Sequence, residues 1–240
     1  MDISEKDADR SDLAWEEIKT EHIVQDEWID FRRSAFRFPD GSVFAPYYNY
    51  SRRDYVVIVA SDTEGRYLCV RQFRQGVREV TTEFPAGGIE RKDGREYAVR
   101  SGDMKESATK HTPEAFLPAD GETKESPAKT PAASRTEIPK AGHSDAEDAL
   151  EAAKRELREE TGYVSKDWTY LLTVPSNATI ADNYAYIFKA ENCRKVGAQE
   201  LDDTEFLNVE THTAEEIEAL IRSGKFQQAV HIMAWLLAER

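Results

Sequence analysis

The sequence predicts an α+β fold: a mixed β-sheet sandwiched between helices, preceded by a small antiparallel β-subdomain. Three observations predict it. Residues 55–61 (Tyr-Val-Val-Ile-Val-Ala-Ser) form a continuous apolar run, the pattern of a strand buried on both faces. Residues 147–162 carry apolar side chains at helical spacing (Leu150, Ala153, Leu157) and stop at Gly162. Short alternating strands then give way to two helical segments, 213–222 and 225–239, split by Ser223-Gly224. Strands with few helices packed over them imply a layered sandwich.

The elements follow in order. Residues 1–12 are polar and read as a disordered tail. Residues 13–52 alternate in short segments, with a turn at Pro39-Asp40-Gly41 between 34–38 and 42–50, and read as the N-terminal β-subdomain. Residues 53–240 form the second domain. Asp62-Thr63-Glu64-Gly65 turns the strand at 55–61 into a hairpin partner at 67–73, and 81–85 is the next strand. Residues 168–174 and 184–190 alternate as strands around a loop at 175–183, and 206–210 is a last short strand. Tyr47, Tyr48 and Tyr50 read as core or interface aromatics before they read as a base-stacking platform.

Composition narrows the function classes. With 46 acidic against 32 basic residues, the net charge is −14, which argues against a broad nucleic-acid or membrane surface. No run of eighteen apolar residues suggests a membrane span, and the acidic N-terminus lacks the layout of a signal peptide. Cys69 and Cys193 make no zinc or disulfide pattern, so a reducing, cytoplasmic setting is expected.

The chemistry concentrates in Arg155-Glu156-Leu157-Arg158-Glu159-Glu160-Thr161-Gly162-Tyr163. Positions i and i+4 share a helix face, so Glu156 and Glu160 point the same way with Glu159 beside them. Such crowding reads either as a solvated acidic face or as oxygen ligands for a hard divalent cation. Arg155 lies four residues from both Glu151 and Glu159 and is expected to pair with them.

The string Arg-Glu-Leu-x-Glu-Glu-x-Gly-Tyr, with Glu147 eight positions before its arginine, resembles the second half of the Nudix box. The box should open with glycine at position 141, where this chain has Ala141. Its opening resembles instead Glu83-Phe84-Pro85-Ala86-Gly87-Gly88-Ile89-Glu90, about sixty residues upstream, similar to the entry into the box in ADP-ribose pyrophosphatases of the family. Residues of about 92–145 therefore read as an insertion inside the box. They hold five of the nine prolines and few large apolar residues, which makes disorder the expectation. Lengthening a loop tenfold adds only roughly 2 kcal/mol of closure entropy, so the box helix can still dock. Val70-Arg71-Gln72-Phe73-Arg74, Trp28-Ile29-Asp30-Phe31 and Asp202-Asp203-Thr204-Glu205-Phe206 extend the resemblance along the chain.

The resemblance implies a Nudix fold and hydrolysis of a nucleoside diphosphate linked to another moiety, with Mg²⁺ or Mn²⁺ as cofactor. On it, Glu156, Glu160 and the backbone carbonyl of Ala86 hold metal, and Glu159 is a further ligand or the group that Arg155 orients. The general base aligns at Asp203, with Glu205 or Glu200 as alternatives. Arg74 is matched to substrate phosphate with Arg71 near it, while Glu83 binds metal through water or pairs with an arginine. ADP-ribose is the first substrate expected, ahead of GDP-mannose, other nucleotide sugars and dinucleotides. A non-catalytic ADP-ribose-sensing domain is the reading from another class. A homodimer is expected from the likeness of the N-terminal sheet to the group's dimerisation sheet. No nucleic-acid or membrane partner is expected.

Overall fold

A computed structural model of the chain describes residues 11–26, 28–90, 147–202 and 204–240. The disorder expected of residues 1–10 and of the insertion thus concerns segments outside the described residues, as does the base position Asp203. Residues 11–12, read as tail, belong to a short 3-10 turn, Ser11–Leu13. A single such turn leaves no periodic signal to read.

The chain divides into two compact units. In the first, β1 (Glu16–Gln25), β2 (Asp30–Arg37) and β3 (Val43–Ser51) form an antiparallel sheet with β2 in the middle. The β2–β3 turn falls at Pro39-Asp40-Gly41, where Gly41 takes φ 83° and the Asp40 carboxylate accepts from the Ser42 amide at 2.9 Å. Trp15 packs on Phe38 (4.4 Å between ring centres), and Tyr47 meets Phe36 and Phe44, while Tyr48 stacks on Phe31. These tyrosines are thus packed among the unit's own aromatics. The segment Asn177–Asp182 belongs to this unit: Tyr50 N–H donates to Ile180 O at 2.9 Å, and Asp182 accepts from Arg32 at 2.8 Å.

The second unit is built on β4 (Tyr55–Asp62), in the strand order β11-β5-β4-β10-β8. Here β5 is Tyr67–Arg74, β8 Tyr163–Val164, β10 Tyr184–Lys195 and β11 Leu207–His212; β9 (Asp167–Pro175) pairs with β10. β4 and β10 run parallel, and their neighbours are antiparallel. Side chains along β4 alternate between two cores. Val56, Ile58 and Ala60 meet Ala152, Ala153 and Leu157 of α1 (Ala149–Thr161). Val57 and Val59 meet Ile217 of α2 (Ala214–Arg222) and Ala234 and Trp235 of α3 (Ala229–Ala238). Both faces are covered, which is why this strand reads as an unbroken apolar run.

Three of the element boundaries that differ from expectation have a clear physical cause. The strand expected at 81–85 is β6 (Glu79–Glu83) on β5, followed by β7 (Ala86–Gly88) on β4. Pro85 has no N–H to give a ladder, and the chain changes partner there. β10 continues beyond Ala190 through a bulge in which Asn192 takes φ 55°, a conformation asparagine tolerates. The last helix starts at Ala229 rather than 225, because Lys225 O accepts from Thr82 N at 3.0 Å and Phe226 is buried against Phe84.

Candidate active site

α1 is placed by its ends and by one face. Asp148 caps its start, accepting from Leu150 N at 2.9 Å, and Gly162 ends it at φ 75°. A Cβ at Gly162 would come within 2.4 Å of Gly197 O, so the loop packed there requires glycine as well. Ala149, Ala152, Ala153 and Leu157 bury the apolar stripe, and Glu156 and Glu160 are buried beside it. Packing, not solvent, therefore surrounds these two carboxylates.

What they face is β7. The Ala86 amide donates to Glu160 Oε2 at 2.9 Å. A Cβ on Gly87 would lie 2.0 Å from the Glu156 carboxyl carbon, so a larger residue there would displace that carboxylate. Ala86 and Gly87 thus sit against Glu156 and Glu160 although some seventy residues separate them in sequence.

The insertion does not disturb this junction. Glu147 N donates to Glu90 O at 2.7 Å, so the described residues that flank 91–146 are joined by a hydrogen bond. Glu147 also joins the site, accepting from Arg155 Nε at 3.3 Å and Nη2 at 3.2 Å. Arg155 is the hub of the cluster. It donates to Gly88 O at 2.9 Å, Glu156 Oε1 at 2.8 Å and Glu159 Oε2 at 3.0 Å. Its expected pairing with Glu159 is present, but Glu151 pairs with Lys154 at 2.7 Å instead. This side chain bridges helix, strand and insertion flank, well beyond an ordinary helix ion pair.

Burial raises the Glu156 carboxyl to about 7, outweighing Arg155, while Glu159 and Glu205 push it the same way as burial. Burial also holds Glu160 well above the ordinary carboxylate range, with Glu156 adding to the effect and the Ala86 amide opposing it. Among the described residues, no three His, Cys, Asp or Glu side chains are gathered as a metal cage. The expected set Glu156, Glu159 and Glu160 is not convergent as it stands: Arg155 holds Glu159 and Glu156, and Glu160 turns to the Ala86 amide. The donors nevertheless fit a hard divalent cation. Two buried carboxylates, raised by lack of solvent and by neighbouring carboxylates, are stabilised in their charged form by such an ion.

The other expected residues lie around this centre. Glu205 closes a tight turn, its carboxylate accepting from Asp202 N at 3.2 Å, and its charge acts on both Glu156 and Glu160. Glu200 is held by both Arg158 Nη atoms, at 3.0 and 2.7 Å, and its own amide donates to Glu159 O. Arg74 is engaged by the fully buried Glu83 through three hydrogen bonds of 2.6–3.1 Å. Thr81 donates to the same carboxylate. Burial alone would raise Glu83; Arg74 holds it below the ordinary value instead. Arg71 is turned to Glu210 at 3.3 Å and makes none of these contacts. Sequence reasoning missed His231, whose Nδ1 accepts from Phe84 N at 3.2 Å, because one histidine in an apolar helix carries no pattern.

Comparison with known proteins agrees with the fold. The NUDIX domain family matches residues 122–236, a span that holds α1 but not Ala86–Gly88. An ADP-ribose pyrophosphatase of Bacillus subtilis (strain 168) is 23% identical over 219 residues, 88% of this chain and 85% of that protein. The crystal structure of an ADP compounds hydrolase superposes with a TM-score of 0.63 at 17% identity, covering 94% of this chain and 92% of the other. The helix that carries Glu156 and Glu160, with its glycine stop, thus lies inside the segment that matches the NUDIX domain, and the strand packed on it lies in the same unit.

Proposed function

We propose that this Nudix pyrophosphatase hydrolyses ADP-ribose to AMP and ribose 5-phosphate, with Mg²⁺ or Mn²⁺ as cofactor. The observation that carries the reading is the pair of buried carboxylates, Glu156 and Glu160, pressed against Ala86 and Gly87. The chain's similarity to two proteins, an ADP-ribose pyrophosphatase and an ADP compounds hydrolase, supports the substrate class.

Glu156 and Glu160 would hold the cation, with the Ala86 backbone beside them. When bound, it neutralises charge on the phosphoryl oxygens and acidifies water. The protein's own groups do the rest. Arg155 keeps Glu156 and Glu159 oriented through its short hydrogen bonds to both. Gly87 leaves room at the carboxylates that a side chain would fill. Glu205 is the base candidate among the described residues, since its charge reaches Glu156 and Glu160 whereas Glu200 is occupied by Arg158. Asp203 is retained as the alternative on the same loop. Arg74 is proposed to meet substrate phosphate while keeping Glu83, because a guanidinium has five donors. The protein is proposed to act in the cytoplasm; among the described residues no helix is long and apolar enough to cross a membrane. A homodimer formed through the N-terminal sheet is part of the same reading.

The test is incubation with Mg²⁺ and a panel of ADP-ribose, GDP-mannose and dinucleotides. Release of AMP from ADP-ribose at the highest kcat/KM is expected. Faster turnover of another member would replace the substrate, and no turnover of any would sink the enzyme reading.

A further inference from the structure

Between β6 and β7 the chain transfers from one sheet neighbour to another, and Phe84 and Pro85 belong to neither ladder. Each backbone polar group in such a buried stretch needs a partner, so its hydrogen bonds can be followed one by one. Thr82 N donates to Lys225 O at 3.0 Å. Pro85 has no N–H, and its carbonyl accepts from Ile58 N at 3.0 Å. The Ala86 amide is taken by Glu160 at 2.9 Å. That leaves the Phe84 amide, in a fully buried residue, and its acceptor is a side chain: His231 Nδ1, at 3.2 Å.

We infer that His231 is a positioning residue, whose Nδ1 lone pair fixes the Phe84–Pro85 crossover and through it sets Ala86 and Gly87 against α1. The donor in this bond is a backbone N–H, so Nδ1 must be bare and the proton must sit on Nε2. His231 is buried in the first turn of α3, where burial and the helix N-terminus both disfavour an imidazolium. Burial lowers its pKa to about 4, a direction that Arg74 shares and Glu83 opposes. A leucine would suit the apolar surroundings of α3 better, but would leave the Phe84 amide without an acceptor. The C-terminal helix thereby reaches the crossover that leads into β7 through one hydrogen bond, reinforced by Phe84 stacking on Trp235 of α3 at 6.2 Å. The catalytic consequence rests on the hydrolase reading proposed above; the positioning itself does not.

The experiment has two arms. In the wild-type protein, long-range ¹H–¹⁵N correlation should show the Nε2–H tautomer throughout pH 5–8, and an Nδ1–H tautomer would overturn the inference. His231→Asn, which sets a carbonyl oxygen where Nδ1 stood, should keep slow exchange at the Phe84 amide. His231→Leu should speed that exchange at least tenfold and move the Ala86 and Gly87 amide resonances. On ADP-ribose, His231→Leu is expected to lower kcat by on the order of 10²-fold with KM changed little, and His231→Asn to restore most of the rate. Equal behaviour of Asn and Leu in exchange and in rate would overturn the role. If His231→Leu does not fold, the tautomer and the Asn variant decide. If no nucleotide is turned over, the hydrolase reading fails while tautomer and exchange still judge His231.

Discussion

Glu83 and the pair Glu156 and Glu160 are all buried carboxylates of one unit, and they differ in what answers their charge. Glu83 is clasped by Arg74 and Thr81 and is held low. Glu156 shares Arg155 with Glu147 and Glu159, Glu160 accepts from the Ala86 amide, and both are pushed up. A buried carboxylate with its own guanidinium is complete within the fold. One that is not so matched stays costly without a cation, and on the function proposed above that asymmetry would separate a structural acid from a metal-binding one.

The comparison can be broken most sharply by removing charge on the unmatched side. Glu160→Gln should lower kcat on the proposed substrate about 10³-fold, roughly 4 kcal/mol of barrier, with the circular dichroism spectrum intact. A rate within tenfold of wild type would refute the metal assignment. Arg74→Ala does the opposite: it leaves Glu83 buried and unmatched. It should cost about 3–5 kcal/mol in a denaturant titration, against under 1 kcal/mol for an exposed pair such as Arg222–Glu218. Equal losses would show that burial is not what distinguishes Glu83.

The smallest effect is a difference in pH slope. Glu156 titrates above its unfolded value, so it binds more protons when folded. Its contribution is most favourable below about 4.5 and is lost as pH rises from there to about 7, a change of no more than about 3 kcal/mol. Glu83 is depressed, so its contribution is present above the ordinary carboxylate value and lost as pH falls below it. Melts without metal, compared with Glu156→Gln, should reveal the first slope, and Mg²⁺ should raise the Tm more at pH 8 than at pH 5.5. A Mg²⁺ effect independent of pH would disconnect these carboxylates from the cation.

Much of this was legible in residue order. β4 is an apolar run because two cores cover it, and α1 declares itself by its stripe and glycine stop. Gly87 and Ala86 could be paired with α1 only through family resemblance, since no local pattern spans an insertion. What stayed hidden is non-local. Arg155 chooses Glu147 over Glu151 because the insertion flanks meet beside it. Glu83 stands opposite Val70 in the strand register, so its pairing with Arg74, which stands opposite Glu79, could not be read from residue order. His231 answers an amide almost 150 residues away, and nothing in its neighbours announces that.

The bond from Glu147 N to Glu90 O carries one more consequence. It divides the second unit's polypeptide into two interlocking fragments. Residues up to 90 supply the inner strands β4 and β5, and residues from 147 supply β10 and β11 on either side of them. Neither fragment holds the whole sheet, and the box itself is shared between them. A protease cut between the two ends would leave every described hydrogen bond of the sheet and site in place. Two peptides that met there would carry the carboxylates on one and their glycine cradle on the other, so the site would form only when both were present together.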